Sequence, residues 1–472
     1  MKLDAFSIRT QHGHNVCVPI SLRTLTTYIL LEQERWFEDE ITLVKLLLNP
    51  GDTAIDVGAN FGLYTAAMAT AVGTNGRVIA FEPTPETAFF LRATCQHMPQ
   101  VEVAQAAASD RNGVANLLVG ASPEGNSLSA PADQPTATQI VATHKLDDYF
   151  GDSSENEIKF IKIDAEGHEL EVASGASRLL KRHDPVILFE VKHGNSSNFR
   201  LMHYFIDQGF GIFRWLPSTR LLVPVRGDEM LDPFQLNLIA CSTHHQKELS
   251  RRGILIDANE PLTSPLPSTD ITEAIKHLFN PKSIPEGAYH ECLRNASFIT
   301  STTVSAAQRY SHLVTAFKLA SVAFNERKSA SRLLTFARLA TELGFRAKAA
   351  SALNTITKDL LNGRELDLHE ACLSPARLYD DAVRFCPSND YMKLIALETF
   401  ERIRSFSSVY NGTSALAYID VICRNPLASC EMLRRQQLVR IIKKLQWRPQ
   451  FQAKLVNESF DNLNPWFWQN QF

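Results

Sequence analysis

The chain has 472 residues, of which 44% are hydrophobic and 21% charged, and a net charge of -3. That length exceeds one ordinary core and predicts two domains, while the near-neutral balance excludes a global electrostatic field for nucleic acid. The eight cysteines are dispersed with no Cys-x-x-Cys pair, which argues against a zinc site or disulfide scaffold and predicts reduced thiols in a cytoplasmic protein; no run approaches the roughly 20 apolar residues of a spanning helix.

In chain order, residues 5–20 alternate around His12-Gly13-His14-Asn15 as a strand pair, and 24–48 read as one helix with Trp36 to Glu40 in its middle. Glu32, Glu34 and Glu38 are expected on its solvated face, the competing reading being contact with a ligand. Thr53 to Val57 is a short apolar strand after the Pro50-Gly51-Asp52 turn, and Leu63 to Val72 has helix-forming composition without a breaker. Between them lies Asp-x-Gly-x-Asn-x-Gly, formed by Asp56, Gly58, Asn60 and Gly62. Strand, glycine turn and helix is the order of a nucleotide-binding crossover, and the glycines permit a tight turn and close approach to a ligand. The next strand, Arg77 to Phe81, ends on Glu82-Pro83. An acid about 20 residues beyond such a loop is placed to accept both hydroxyls of a ribose. Asn60 in place of a middle glycine argues against a pyrophosphate lying flat, and so against a nicotinamide oxidoreductase.

A helix over Pro85 to His97 and a strand over Val101 to Ala106 follow, closed by Ala108-Ser109-Asp110. Val114 to Val119 and Gln139 to Thr143 form an added hairpin, with a long loop carrying Asn126-Ser127, and a short helix starts near His144. Ile158 to Ile163 is a core strand ending on Asp164; a helix runs from Glu169 to Lys181; Pro185 to Val191 is a strand carrying Glu190, with His193 just beyond. Asp164, Glu190 and His193 therefore fall where an α/β sheet opens its crevice. They are the candidate catalytic residues, Asp164 shared between two ligands and either Glu190 or His193 the base. Glu166 and Glu169 are expected to cap the following helix, and His168 to lie at the surface. A helix over Ser197 to Gln208 and strands at Gly211 to Trp215 and Gln235 to Cys241 complete an α/β sheet.

These residues resemble the S-adenosylmethionine-dependent methyltransferases of the FkbM type. Pro50 to Gly62 is similar to that family's first motif, Phe81-Glu82-Pro83 to its ribose-binding acid, and Lys162-Ile163-Asp164-Ala165-Glu166-Gly167-His168-Glu169 to its most distinctive signature. The resemblance covers residues 1–245. It implies a Rossmann-like sheet of seven strands with the last antiparallel. It implies S-adenosyl-L-methionine as cofactor, held by Asp56, Gly58, Asn60, Gly62 and Glu82, with Asp110 near the adenine unless it is a turn aspartate. It further implies O-methylation of a hydroxyl on a sugar, glycan or related natural product. The alternatives are a metal-assisted O-methyltransferase and a catalytically silent cofactor-binding scaffold.

Beyond residue 245 the character changes. Pro261, Pro265, Pro267, Pro281 and Pro285 mark 246–290 as a linker with one short helix, and 291–472 as an all-α domain. Gly344, Ala349 and Leu353 resemble part of a tetratricopeptide helix pair, so this half is expected to bind a protein partner or to pack on its own enzyme. Arg434, Arg435, Arg440, Lys443, Lys444 and Arg448 form one basic helix, expected to be solvated, with an acidic partner as the second reading. The apolar tail Pro465-Trp466-Phe467-Trp468 is expected to dock on the body.

Overall fold

Thr53 to Val57 is buried along its whole length, and a strand apolar on both faces needs cover on both. The computed structural model, which describes residues 4–120, 137–151, 157–193, 196–197, 199–226, 229–256, 278–280, 283–301, 303–385, 387–411, 414–445 and 452–469, shows how that cover is built. An antiparallel hairpin of β1 (Ala5–Arg9) and β2 (Asn15–Pro19) leads into α1 (Leu25–Gln33) and α2 (Ile41–Leu47). Then come β3 (Thr53–Val57), α3 (Leu63–Val72), β4 (Arg77–Phe81), α4 (Pro85–Thr94) and β5 (Val101–Ala104). A separate small sheet holds β6 (Ala107–Ala108), β7 (Gly113–Val119) and β8 (Ala137–His144). The chain continues through α5 (Leu146–Phe150), β9 (Ile158–Ile163), α6 (Glu169–Ser174), α7 (Ser177–His183) and β10 (Val186–Glu190). A two-residue pair, β11 (Lys192–His193) and β12 (Ser196–Ser197), precedes α8 (Phe199–Asp207), β13 (Gly211–Leu216), β14 (Leu221–Pro224), β15 (Asn237–Cys241) and α9 (Thr243–Arg251).

The main sheet has eight strands in the order β14-β13-β15-β10-β9-β3-β4-β5. β5, β4, β3, β9 and β10 are parallel, and β15 runs antiparallel between β10 and β13. This is the expected Rossmann-like sheet with its antiparallel strand. β14 is added at the edge by a tight return from β13. Leu221 and Val223 of β14 join Leu216 and Ile256 in a small core that Ala306, Ala307 and Tyr310 of the helical half cover.

The expected helix over 24–48 is broken in two. Glu34 adopts a left-handed conformation at φ 55° and ends α1, so Trp36 to Glu40 leave the helix as an irregular segment that reaches the sheet.

The second half is helical from residue 288 onward: α10 (Ala288–Ala296), α11 (Ala306–Glu326), α12 (Ala330–Glu342), α13 (Arg346–Leu361), α14 (Asp380–Phe385), α15 (Asn389–Ile403), α16 (Ser414–Ile422), α17 (Cys430–Ile442), α18 (Gln452–Leu455) and α19 (Pro465–Gln469). Serines start several of them for a physical reason: Ser305 makes a reciprocal cap with Gln308, and Ser329, Ser388 and Ser429 each accept an amide of their first turn. Most of the proline-rich stretch and the loop holding Asn126-Ser127 lie outside the described residues. No helix among the described residues is long and apolar enough to cross a membrane.

The two halves share a core. Ile8, Val16, Val18, Leu30 and Leu31 from the start of the chain pack with Leu397, Ile419, Leu433, Leu438 and Trp468 from its end. The tail docks as expected, Phe6 meeting Trp466 edge-on at 5.3 Å. Two faces expected to be solvated are instead buried against each other. Glu32 and Glu34 of the α1 end are fully buried, as are Arg434 and Arg435 of α17. Arg434 lies 3.4 Å from Glu34, and Arg435 lies 3.4 Å from Glu32, 3.0 Å from Glu431 and 3.5 Å from Glu401. Backbone amides complete the pairing, Ser408 N donating to Glu32 and Leu463 N and Asn464 N to Glu34. Opposite charges set against each other can be withdrawn from water where either alone could not.

Candidate active site

β3 and β9 run side by side with Asp56 opposite Lys162. The chain goes from β3 outward to β4 and β5, then returns past β3 to β9, so the carboxyl ends of β3 and β9 flank a topological switch point. A cleft of about 110 Å³ opens there, lined among others by Asp56, Gly58, Asn60, Glu82, Asp164 and Ala106 to Ala108.

The backbone of this loop is tight for internal reasons. A Cβ on Gly58 would lie 1.7 Å from the carbonyl oxygen of Asp164, and one on Gly62 would lie 2.7 Å from Leu91; both glycines have positive φ. The glycines thus let β3 approach the end of β9 and α3 approach α4, and their absent side chains make room for protein. Gly58 still lines the cleft, whereas Gly62 does not. Asn60 is left-handed at φ 48°, which asparagine tolerates better than most residues.

Glu82 is fixed at the end of β4. Its two oxygens accept Asn60 N at 3.1 Å and Thr84 N at 2.9 Å, and burial nevertheless pushes the carboxyl up to about 7. Asp56 accepts the Thr65 hydroxyl at 2.6 Å through Oδ2, and burial raises it as well. Asp56 Oδ1 and Asn60 Oδ1 are buried acceptors with no hydrogen bond among the described residues.

Several lining residues lie outside the candidate set, Glu38 among them, for which ligand contact is the competing expectation. Lys162, in the buried strand β9, is ion-paired with Asp164 at 2.7 Å and lies over the Tyr64 ring at 4.9 Å. Burial alone would discharge it, but Asp164, Asp56 and Glu38 outweigh burial and hold the ammonium above its ordinary range. A charged residue inside a strand covered on both faces was the signal for this one. Glu38 accepts Trp36 Nε1 at 2.9 Å through Oε1, and through Oε2 the Tyr64 hydroxyl at 2.9 Å and Asn237 Nδ2 at 2.8 Å. Burial, and Asp164 nearby, raise its pKa. Only the unexpected helix break brings Glu38 and Trp36 here. His168, expected at the surface, is buried and lines the cleft, its Nε2 3.0 Å from Ser109 Oγ.

The remaining candidates are placed differently. Asp110 is exposed, bonded to Ser109 Oγ and Arg111, and does not line the cleft, because the turn after β6 carries it outward. The small side chains of Ala106, Ala107 and Ala108 occupy the place expected of it. Glu169 is a cap, accepting Ala165 N at 3.1 Å and Gly167 N at 2.8 Å. Glu190 ends β10, opposite Asn237 in β15, with one buried oxygen that finds no partner among the described residues. Burial raises its pKa well above the carboxylate range, and Asp164, Glu166, Glu169 and Glu38 push the same way. The side chain of His193 lies outside the described residues. Among those residues, no group of three or more His, Cys, Asp and Glu is arranged to hold a metal ion.

A Rossmann-like sheet with an antiparallel strand third from its edge, and an acid-lined cleft at its switch point, is an architecture compatible with a methyltransferase. The methyltransferase FkbM domain profile matches residues 56–212. The N-terminal half is an S-adenosylmethionine-dependent methyltransferase domain of FkbM type. Among solved structures, the chain is similar to the methyltransferase FkbM of Methylobacillus flagellatus KT at 19% identity and a TM-score of 0.31, over 44% of this chain and 48% of that one. It is also similar to an S-adenosylmethionine-dependent O-methyltransferase of Thermotoga maritima (17%, TM-score 0.29, 50% and 77% covered) and to an S-adenosylmethionine-dependent methyltransferase of Aquifex aeolicus (13%, TM-score 0.26, 45% and 89% covered). The match thus spans about half the length of the Methylobacillus protein. Among curated proteins none matches.

The residues present fit the cofactor. It carries a sulfonium and an ammonium, both positive, and two ribose hydroxyls that donate hydrogen bonds. The cleft offers Glu82, the open acceptors of Asp56 and Asn60, and an excess of carboxylates over the single ammonium of Lys162.

Proposed function

We propose that this protein transfers a methyl group from S-adenosylmethionine to a hydroxyl of a sugar, a glycan or a related natural product. The bound cofactor supplies an electrophilic methyl on sulfur, so the chain has to position the reactants and remove the hydroxyl proton. Glu82 would hold the ribose, while Asp56 and Asn60 would take the amino-acid portion. Lys162 fixes Asp164 at the mouth of β9, where a carboxylate can orient both ligands. Asp110 is set aside as an adenine contact, since it faces solvent.

The observation that carries the reaction class is Glu190. Its buried, unpartnered oxygen at the carboxyl end of a central strand can accept a proton once the carboxyl is ionised, and because burial raises its pKa that ionisation is favoured as the pH rises. His193, three residues beyond the end of β10, remains the second candidate on its position in β11. Free thiols at all seven described cysteines favour a reducing compartment such as the cytoplasm.

Release of S-adenosylhomocysteine in the presence of mixed glycosides tests the proposal. Glu190→Gln is expected to lower turnover about 10²–10⁴-fold, with cofactor affinity retained, and Asp164→Asn to abolish turnover. Normal turnover in both Glu190→Gln and His193→Ala, together with inhibition by a chelator, would transfer proton removal to a metal.

A further inference from the structure

We propose that the methyl acceptor enters through a second cleft, between the methyltransferase half and the helical half, and that this cleft receives the pyranose ring of a glycoside. The proposal rests on the O-methylation reading above and adds where and by what the acceptor is held.

The cleft has a volume of about 230 Å³. One wall is the end of β13 and the segment after it, with Trp215 and Ser218; the facing wall is the end of α12, with Thr341 and Glu342. Its floor is the irregular segment that the break after α1 creates, Phe37 to Glu40. Glu38 lines this cleft and the cofactor cleft alike, so the two meet at its carboxylate. A hydroxyl that reached Glu38 from the interdomain side would face the cofactor space.

The chemistry of the walls selects a neutral, hydroxyl-rich ring. The charges of the three guanidinium groups present are already engaged, Arg377 by Glu342 at 2.8 Å. Arg346 is stacked between Phe234 at 4.5 Å and Phe406 at 4.8 Å and donates to the carbonyls of Ile403, Arg402 and Ser405. Arg338 is bonded to Glu342 and to both oxygens of Asp380. Little free positive charge is left for a phosphate, and the carboxyl groups of Glu38, Asp39 and Glu40 offer an anion no partner. Two donors are left open: Arg377 Nε, and Trp215 Nε1 on a side chain only 5% exposed, neither with a hydrogen-bond partner among the described residues. Near Trp215 lie half-buried aromatic surfaces and the carboxyl of Glu40, which burial pushes up to about 8. A pyranose matches this set, because it offers an apolar face of C–H groups to aromatic rings and a rim of hydroxyls to polar groups. The helical half is then part of the active site, since it forms the outer wall of the acceptor cleft.

The test is saturation-transfer NMR on the full chain with S-adenosylhomocysteine present, using the methyl glycosides of glucose, mannose, galactose and fucose as probes. Saturation is expected to reach ring protons of at least one glycoside in the wild type. Thr341→Trp, which fills the cleft from the helical side, is expected to abolish it while calorimetric affinity for S-adenosylhomocysteine stays the same. Ser218→Phe fills the cleft from the opposite wall and serves if the first variant does not fold. Trp215→Phe keeps the ring and removes the N–H, and is expected to weaken binding roughly 3- to 10-fold. Undiminished saturation in both filled variants, or no saturation of any glycoside in the wild type, would overturn the proposal. A glycoside bound here but never methylated would defeat the reaction reading and leave the subsite standing. Methylation of a glycoside at wild-type KM in Thr341→Trp would do the reverse.

Discussion

Glu82 is a carboxylate that the fold holds between two amides yet keeps from water, and the balance leaves its pKa at about 7 against an ordinary 4.5. Because the folded state keeps a proton that the unfolded chain releases, this residue lowers the stability of the free protein as pH rises from 4.5 to about 7. Cofactor binding has the opposite sign, since ribose hydroxyls donate to an ionised acceptor. Affinity for S-adenosylhomocysteine is therefore expected to fall about tenfold per pH unit below pH 7. Glu82→Gln should remove most of that slope and cost about 2–4 kcal/mol of binding above it. Titration calorimetry on either side of neutrality checks both, and a flat profile for the wild type would remove Glu82 from the cradle. Asp56 is raised by burial too, so the slope that survives in the Gln variant reports on it.

At the scale of elements, α1 and α17 show how charge patterning misleads when each helix is read alone. Glu32 and Glu34 on one, and Arg434 and Arg435 on the other, are each the kind of residue that ordinarily faces water. They lie about 400 positions apart in the chain, and each neutralises the other. Burial pushes Glu431 up, but Arg402 and Arg435 more than offset it and hold that carboxylate at about 2. Arg435→Met is expected to destabilise the protein by about 3–5 kcal/mol, because Glu32, Glu401 and Glu431 then share a buried site with too little positive charge. Urea unfolding should show the loss as a lower midpoint at an unchanged slope. A shift equivalent to less than about 1 kcal/mol, the size of an exposed pair, would mean that water reaches the network.

For the whole molecule, a division at residue 245 separates two compositions but cuts through one core. Within residues 1–245, β1, β2 and α1 have apolar faces that pack on α15, α16, α17 and α19. A fragment ending at 245 would expose Val18, Leu30 and Leu31 together with unpaired Glu32 and Glu34. It is expected to be insoluble, or to bind the cofactor far more weakly than the full chain, since α1 leads directly into the segment that carries Trp36 and Glu38 into the cleft. Expression of the fragment with calorimetry decides the point, and a soluble fragment with full affinity would show that the hairpin and α1 are dispensable.

The local pattern by itself determined the strand-turn-helix at 53–72, the acid ending β4, the signature at the end of β9 and the helices from 306 onward, because strand length, glycine position and apolar period act over a few residues. From these came the sheet and, through the family resemblance, the cofactor and the residues proposed to hold it. What the sequence could not decide were the side chains whose neighbours are remote in the chain. Glu38 reaches the site because α1 stops at a left-handed Glu34 whose carboxylate is held by Arg434 and by the amides of Leu463 and Asn464. His168 is buried because Ser109 meets it, and Asp110 is exposed because the same turn faces outward. Each of these depends on a contact between distant segments, and a charged residue gives no sign in one dimension of whether its counter-charge will be water or another part of the same chain.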